Sequence, residues 1–377
     1  MLRKFEVKNY KNFKDTLSID FANVHDYKYN MHCVKNDLIS KMIIYGKNAE
    51  GKTNLGSAIF DIIFDIQMNR VSYFYRNNQR LYKNADAKDG DLVEFFYSFQ
   101  FGDDIVNYEY KKKDESAVVF EKLTINDWVV FYYDIENDEH DFSNTRKINA
   151  NELNWEEFFE TIRSDDSESI KPTALRYIIY NTVQKEGSII HKLAQFIKGM
   201  RFSSSLNANL RLSLPPVEEY FEDPKELERF EKFLNTYGIK CKLVILDQVD
   251  GKKELYFDYA KPLHFASNLS SGTMALTRFY LQYLGKNKPT FVFMDEFDAF
   301  YHYELSEKMV ELLEKEFECQ VILTSHNTDL LSNSIMRPDC FMILSNGKLT
   351  PVCEATTREI RQGHNLEKLY KNGEFNV

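Results

Sequence analysis

The stretch MIIYGKNAEGKT at 42–53 constrains this chain more than any other. Its first four residues are apolar. A continuous apolar run of this kind suits a strand buried on both faces, which needs a parallel sheet with helices packed above and below it. The run ends in G-x-x-x-x-G-K-T, and TNLGSAIFDIIFDIQMN follows, with Leu55, Ile59, Ile62, Ile63 and Ile66 at helical spacing. Strand, glycine turn and amphipathic helix are the context in which this motif holds a phosphate. Gly46 and Gly51 let the backbone curl until successive N–H groups face a β-phosphate. Lys52 reaches the β- and γ-phosphates, and the Thr53 hydroxyl ligates Mg²⁺. Asn48 and Asn54 complete the candidate nucleotide-binding set. The predicted fold is therefore α/β, a P-loop NTPase.

Two further apolar runs end in chemistry. TFVFMDE at 290–296 is a buried strand that delivers Asp295 and Glu296 at its C-terminal end, the edge where open α/β sheets bind ligands. Asp295 is expected to hold Mg²⁺ and Glu296 to orient and deprotonate water. VILTSHNTDLL at 321–331 delivers Thr324, Ser325 and His326, with His326 placed to meet a γ-phosphate or the lytic water. LSSGT at 269–273 opens a further helix. Locally it is no more than a capped helix start, although free N–H groups at such a turn also attract phosphate. NKPT at 287–290 lacks the aspartate of the guanine-reading N-K-x-D motif, since Thr290 stands there, so GTP specificity is not supported.

The remainder bounds the partners. The 377 residues carry a net charge of -10, which argues against non-specific coating of DNA, although a local basic groove stays open. The 30 Phe and 23 Tyr are enough to fill a sizeable core or interface. Five scattered cysteines form no C-x-x-C pair, so zinc is not expected and a reducing cytoplasm is. No apolar run reaches the ~18 residues of a membrane span. Residues 92–134 read as antiparallel strands, and 151–235 as helical and acidic without sustained heptads. SNGK at 345–348 reads as a hairpin turn. Three regions are expected: an N-terminal lobe with the phosphate loop and antiparallel strands at 1–150, a helical insertion at 151–240, and a C-terminal lobe at 241–377.

The order of phosphate loop, Ser-Gly turn, apolar-Asp-Glu and strand-His resembles that of the ABC-type ATPases. LSSGT is similar to their L-S-G-G-Q signature, with Ser271 and Thr273 departing from it. FEVKNYKNFKD ahead of the loop and SHNTDLL resemble the RecF/SMC/OLD branch. REIRQGHNLEKLYKNGEF at 358–375 resembles the tail of the AAA-type ATP-binding proteins of bacterial phage-defence and abortive-infection loci. The resemblance covers roughly the first 70 and last 120 residues. It implies a mixed sheet with an antiparallel β subdomain, a helical insertion and no long coiled coil. It also implies ATP with Mg²⁺, and a homodimer or higher homo-oligomer in which Ser270 and Gly272 touch the nucleotide held by the other protomer. A separately encoded effector, such as a Toprim-type nuclease, is the implied partner. The transporter D-loop is absent; FDAFYHYE stands in its place, with Asp298 near the interface and His302 as the counterpart of a histidine in OLD-like proteins. Gln100 is the expected glutamine-loop ligand of Mg²⁺, with Gln79 as the alternative.

Other classes stay open on the sequence alone. A RecF-like DNA clamp would show salt- and ATP-dependent DNA binding. A transporter subunit is disfavoured by the distant signature. A P-loop kinase would leave the signature and His326 idle.

Overall fold

The computed structural model describes residues 1–67, 82–115, 117–164, 171–204, 220–221, 223–249, 251–284 and 288–375. Its centre is a six-stranded sheet in the order Met200–Ser204, Phe291–Asp295, Gln320–Thr324, Lys41–Tyr45, Phe341–Ser345 and Lys348–Pro351. The first five strands are parallel and the last is antiparallel. Lys41–Tyr45, Phe291–Asp295 and Gln320–Thr324 are buried at every position, as their apolar runs require. The one cation in these runs, Lys41, donates its Nζ at 2.8 Å to the carbonyls of both Phe317 and Cys319. The Asn-Gly hairpin forms as expected. Asn346 and Gly347 take positive φ values of 50° and 74°, and Ser345 pairs with Lys348.

A second sheet has seven antiparallel strands in the order Glu139–Asp141, Trp128–Asp134, Val118–Ile125, Asp104–Lys112, Val93–Phe101, Leu2–Lys8 and Leu17–Asp20. Its buried face carries Phe95, Tyr97, Phe99, Tyr108 and Tyr110. These rings lie over the helices that leave the phosphate loop. Tyr97 donates its hydroxyl to the Ala58 carbonyl at 3.0 Å, and Phe99 meets Phe196 edge-on with centroids 5.4 Å apart. Aromatic rings thus line the join between the two sheets. The two also meet end to end, where the Gln320 side chain receives the Leu2 N–H at 2.6 Å and donates to the Leu2 carbonyl at 2.7 Å.

The helix predicted after the phosphate loop is two, Lys52–Ile59 and Asp61–Gln67, broken at Phe60. The 151–240 region holds the helices Trp155–Arg163, Ala174–Asn181, Ile189–Gly199 and Pro224–Thr236. It also supplies the edge strand Met200–Ser204, so the central sheet passes through the expected insertion. That strand escapes a periodicity reading because MRFSS carries only two apolar residues and is mostly half-buried. Among the described residues the longest helix is Tyr303–Glu316, 14 residues, and none is long and apolar enough to cross a membrane.

Candidate functional site

Four parallel strands of the central sheet deliver the site at one edge. The phosphate loop leaves Tyr45, and its tightness is steric. A Cβ on Gly46 would lie 2.7 Å from the Leu344 carbonyl oxygen of the neighbouring strand. Gly51 has φ 105°, and a Cβ there would fall 2.2 Å from Asn12 Nδ2. Gly51→Ala therefore meets both a left-handed backbone and a filled space. It is expected to lose nucleotide binding in a fluorescent-nucleotide titration; wild-type affinity would show that the loop adapts.

Lys52 is buried at the start of the helix, and its Nζ donates to the carbonyls of Gly46 at 2.7 Å and Lys47 at 3.2 Å. Burial holds this ammonium below the usual lysine range, while the charges of Glu296 and Asp295 pull it back up. The Thr53 hydroxyl donates to Asp295 Oδ2 at 2.7 Å, and Thr324 Oγ1 donates to Asp295 Oδ1 at 2.8 Å. Ser204 Oγ is 3.4 Å from Oδ2. Asp295 is thus fixed between the loop, the histidine strand and the edge strand. Thr53 and Asp295 are placed to share a Mg²⁺, an oxygen-seeking ion that keeps several waters and one or two carboxylates.

Glu296 follows with φ 49°, a left-handed backbone uncommon for a non-glycine residue. Its N–H donates to Thr324 Oγ1 at 2.8 Å, which holds the turn. Strained positions of this kind cluster at functional sites. The turn carries the carboxylate towards His326, whose Nε2 is 3.8 Å from Glu296 Oε1. The loop bearing His326 is set by Ser325, whose hydroxyl donates to Asp298 at 2.6 Å and accepts the Asn327 N–H at 2.8 Å. Burial raises the Asp298 carboxyl, and the Ser325 hydrogen bond opposes that.

Ser270 is the N-cap of the helix Ser271–Phe279. Its hydroxyl accepts the Thr273 N–H at 3.1 Å and contacts Thr273 Oγ1 at 2.8 Å. A Cβ on Gly272 would reach the Phe300 carbonyl oxygen at 3.4 Å, so this turn lies against the FDAF stretch that follows Glu296. His302 is the N-cap residue of Tyr303–Glu316 by position, but its ring makes no capping hydrogen bond.

Two expected ligands sit elsewhere. The Gln100 N–H donates to the Met1 carbonyl at 2.8 Å, one residue from Leu2, which is tied to Gln320. Gln320 begins the strand that Thr324 ends, so Gln100 lies at the edge of the central sheet opposite Asp295 and is not brought to the Mg²⁺ position. Gln79 and Asn287 lie outside the described residues. Asn54 donates to Asn12 Oδ1 at 2.8 Å, and Asn12 donates to the Glu50 carbonyl at 2.8 Å. Asn54 therefore braces the loop from behind. Asn12 was missed because nothing in its own sequence context points to a loop some forty residues on. Glu50 accepts the Asn346 N–H at 2.7 Å, a second brace. Asn48 is exposed on the loop.

A phosphate loop facing apolar-Asp-Glu and strand-His across a parallel sheet, beside an antiparallel sheet, is the architecture of the ABC-type ATPases as built in SMC heads. Residues 41–332 match the family model described as "AAA domain, putative AbiEii toxin, Type IV TA system", and the chain belongs to that family. Among solved structures, an SMC head bound to the C-winged helix domain of ScpA has TM-score 0.53 and 13% identity, covering 93% of this chain and 97% of that one. The SMC head domain from Thermotoga maritima has TM-score 0.43 and 14% identity, covering 93% and 98%. The Smc head with an extended coiled coil, bound to the C-terminal domain of ScpA derived from Pyrococcus furiosus, has TM-score 0.46 and 14% identity, covering 99% and 98%. The comparison with curated proteins gave no match.

Proposed function

We propose that this protein binds and hydrolyses ATP with Mg²⁺ as a dimeric switch in bacterial anti-phage defence, and that it controls a separately encoded effector in the cytoplasm. The observation that carries the ATPase reading is the Thr53–Asp295 hydrogen bond beside the buried Lys52 of the loop, with Glu296 and His326 next to it. In this mechanism the loop backbone and Lys52 neutralise the phosphates, and Thr53 and Asp295 would hold a Mg²⁺ that would supply further positive charge there. Glu296 takes the proton of the attacking water and His326 meets the γ-phosphate. Lys52→Ala is expected to abolish nucleotide binding or turnover in a phosphate-release assay; unchanged turnover would remove the phosphate loop from the mechanism.

The dimer rests on the second turn. The Ser270 cap leaves a helix N-terminus beside the Glu296 turn, and Ser270 and Gly272 suit the nucleotide of a facing protomer. Family membership supports the abortive-infection setting. The SMC head crystallised with ScpA offers a precedent for this fold engaging a separate protein. The net charge of -10 fits a protein partner better than a DNA one. Ser270→Arg puts a bulky cation into the turn. It is expected to bind ATP normally and to remain monomeric with ATP and Mg²⁺ in light scattering. An ATP-dependent dimer of this variant would reduce the turn to an ordinary helix cap.

A further inference from the structure

The edge of the central sheet opposite the phosphates carries a second cluster that the ATPase chemistry does not use. Three neighbouring parallel strands begin there, at Gln320, Lys41 and Phe341. The segments leading into them bring together Glu314, from the last turn of Tyr303–Glu316, and His32 with Cys33, from the short turn Met31–Cys33. Cys340, the residue before Phe341, joins them. One donor atom from each of His32, Cys33 and Glu314 lies within 4.8 Å of the other two. His32 Nε2 is 3.1 Å from Glu314 Oε2, and Cys33 Sγ is 3.9 Å from Glu314 Oε1.

Tetrahedral zinc holds nitrogen and oxygen at ~2.0 Å and thiolate sulfur at ~2.3 Å, which separates an N,O pair by about 3.3 Å and an S,O pair by about 3.5 Å. The N,O spacing is close to the first value, whereas the longer S,O spacing is to the other carboxylate oxygen, so the side chains must turn to share one ion. Cys33 is fully buried, and the Glu314 carboxylate is largely buried beside the half-exposed His32 ring. The nearby cations are committed elsewhere, Lys41 to two carbonyls and Arg337 to Asp339 and the His25 carbonyl.

We propose that His32, Cys33 and Glu314 form a site for a borderline divalent transition metal, zinc(II) by its N, S, O donor set, with a fourth position open to solvent on the half-exposed His32 side. The site ties together the segments that lead into two neighbouring central strands, so the metal stabilises the sheet from the edge away from the nucleotide. Spacing rules could not find it, because Cys33 and Glu314 are 281 residues apart.

The test is cobalt(II) titration of the chelator-treated, reduced full chain, followed by displacement with zinc. One equivalent is expected, with thiolate-to-cobalt charge transfer and the strong visible bands of tetrahedral cobalt. Binding should survive Lys52→Ala, which separates it from the nucleotide's Mg²⁺. His32→Ala, at a half-exposed position that does not threaten folding, should weaken cobalt at least about tenfold, as loss of support around metal ligands does. Cys33→Ser should remove the charge-transfer band. The proposal is overturned by absence of that band in the wild type, by unchanged affinity in His32→Ala, or by dependence on His25, which faces Glu354 3.2 Å away in a separate exposed cluster, in place of His32.

Discussion

Glu296→Gln is expected to lower ATP turnover by about 10²–10⁴-fold, the span that a positioned general base contributes, while ATP affinity stays close to wild type. The geometry separates the two effects. The groups placed to hold the phosphates and the cation are Lys52, Thr53 and Asp295, and Asp295 is fixed by Thr53 at 2.7 Å and Thr324 at 2.8 Å. Glu296 contributes to that arrangement only through its backbone N–H, which the substitution leaves in place. The amide keeps the size and reach of the carboxylate but cannot accept a proton from water. If two protomers close on ATP, the variant accumulates as an ATP-bound dimer, visible as a doubling of mass in light scattering with ATP and Mg²⁺ and lost on addition of Ser270→Arg. Wild-type turnover in Glu296→Gln would show that another group activates the water, with His326, 3.8 Å from Glu296, the first to examine. Normal dimerisation with ATP but unchanged hydrolysis would separate the switch from the chemistry.

The parts of this site that the sequence discloses are those with local signatures. Gly46, Gly51, Lys52 and Thr53 sit in one motif. Asp295 ends a fully buried strand, Glu296 follows it and His326 lies just past the end of another, and only the C-terminal edge of a parallel sheet can bring such ends together. What stays hidden depends on pairings between distant segments. The edge strand Met200–Ser204 has too few apolar residues to announce itself, yet it places Ser204 beside Asp295. Asn12 braces the loop from the N-terminal segment, and Asn54, which reads as a nucleotide ligand by adjacency, is turned towards it. Gln100 fails for a related reason. A hairpin is easily recognised from alternation, but which of its ends faces the catalytic edge is set by Leu2 and Gln320, 318 residues apart.

The largest stability effect is expected at Lys112. Its ammonium is fully buried under the helix that continues from the phosphate loop, 2.7 Å from Asp61 Oδ2 and 2.8 Å from Asp65 Oδ2. Asp61 also accepts the hydroxyls of Tyr82 and Tyr110, each at 2.9 Å. Burial alone would lower the lysine, but the two carboxylates outweigh it and hold it above its ordinary value. Asp65 is pushed up to about 7 by burial despite the nearby ammonium. Lys112→Met removes the cation and leaves two buried carboxyls facing each other. Breaking a buried ion pair from one side costs about 3–5 kcal/mol, readable as a lower urea midpoint at unchanged slope. The loss should be greatest above pH 7 and shrink as the pH falls, because Asp65, with its raised folded-state value, then takes up a proton and sheds the repulsion. Adding Asp61→Asn and Asp65→Asn to Lys112→Met should recover most of the stability, since it is the unpaired charge and not the missing methylene packing that destabilises. A Lys112→Met protein as stable as wild type at neutral pH would mean that water reaches the carboxylates. Failure of the triple variant to recover would shift the cost to packing against Phe64, Tyr82 and Tyr110, whose rings lie 5.4–5.8 Å from the ammonium.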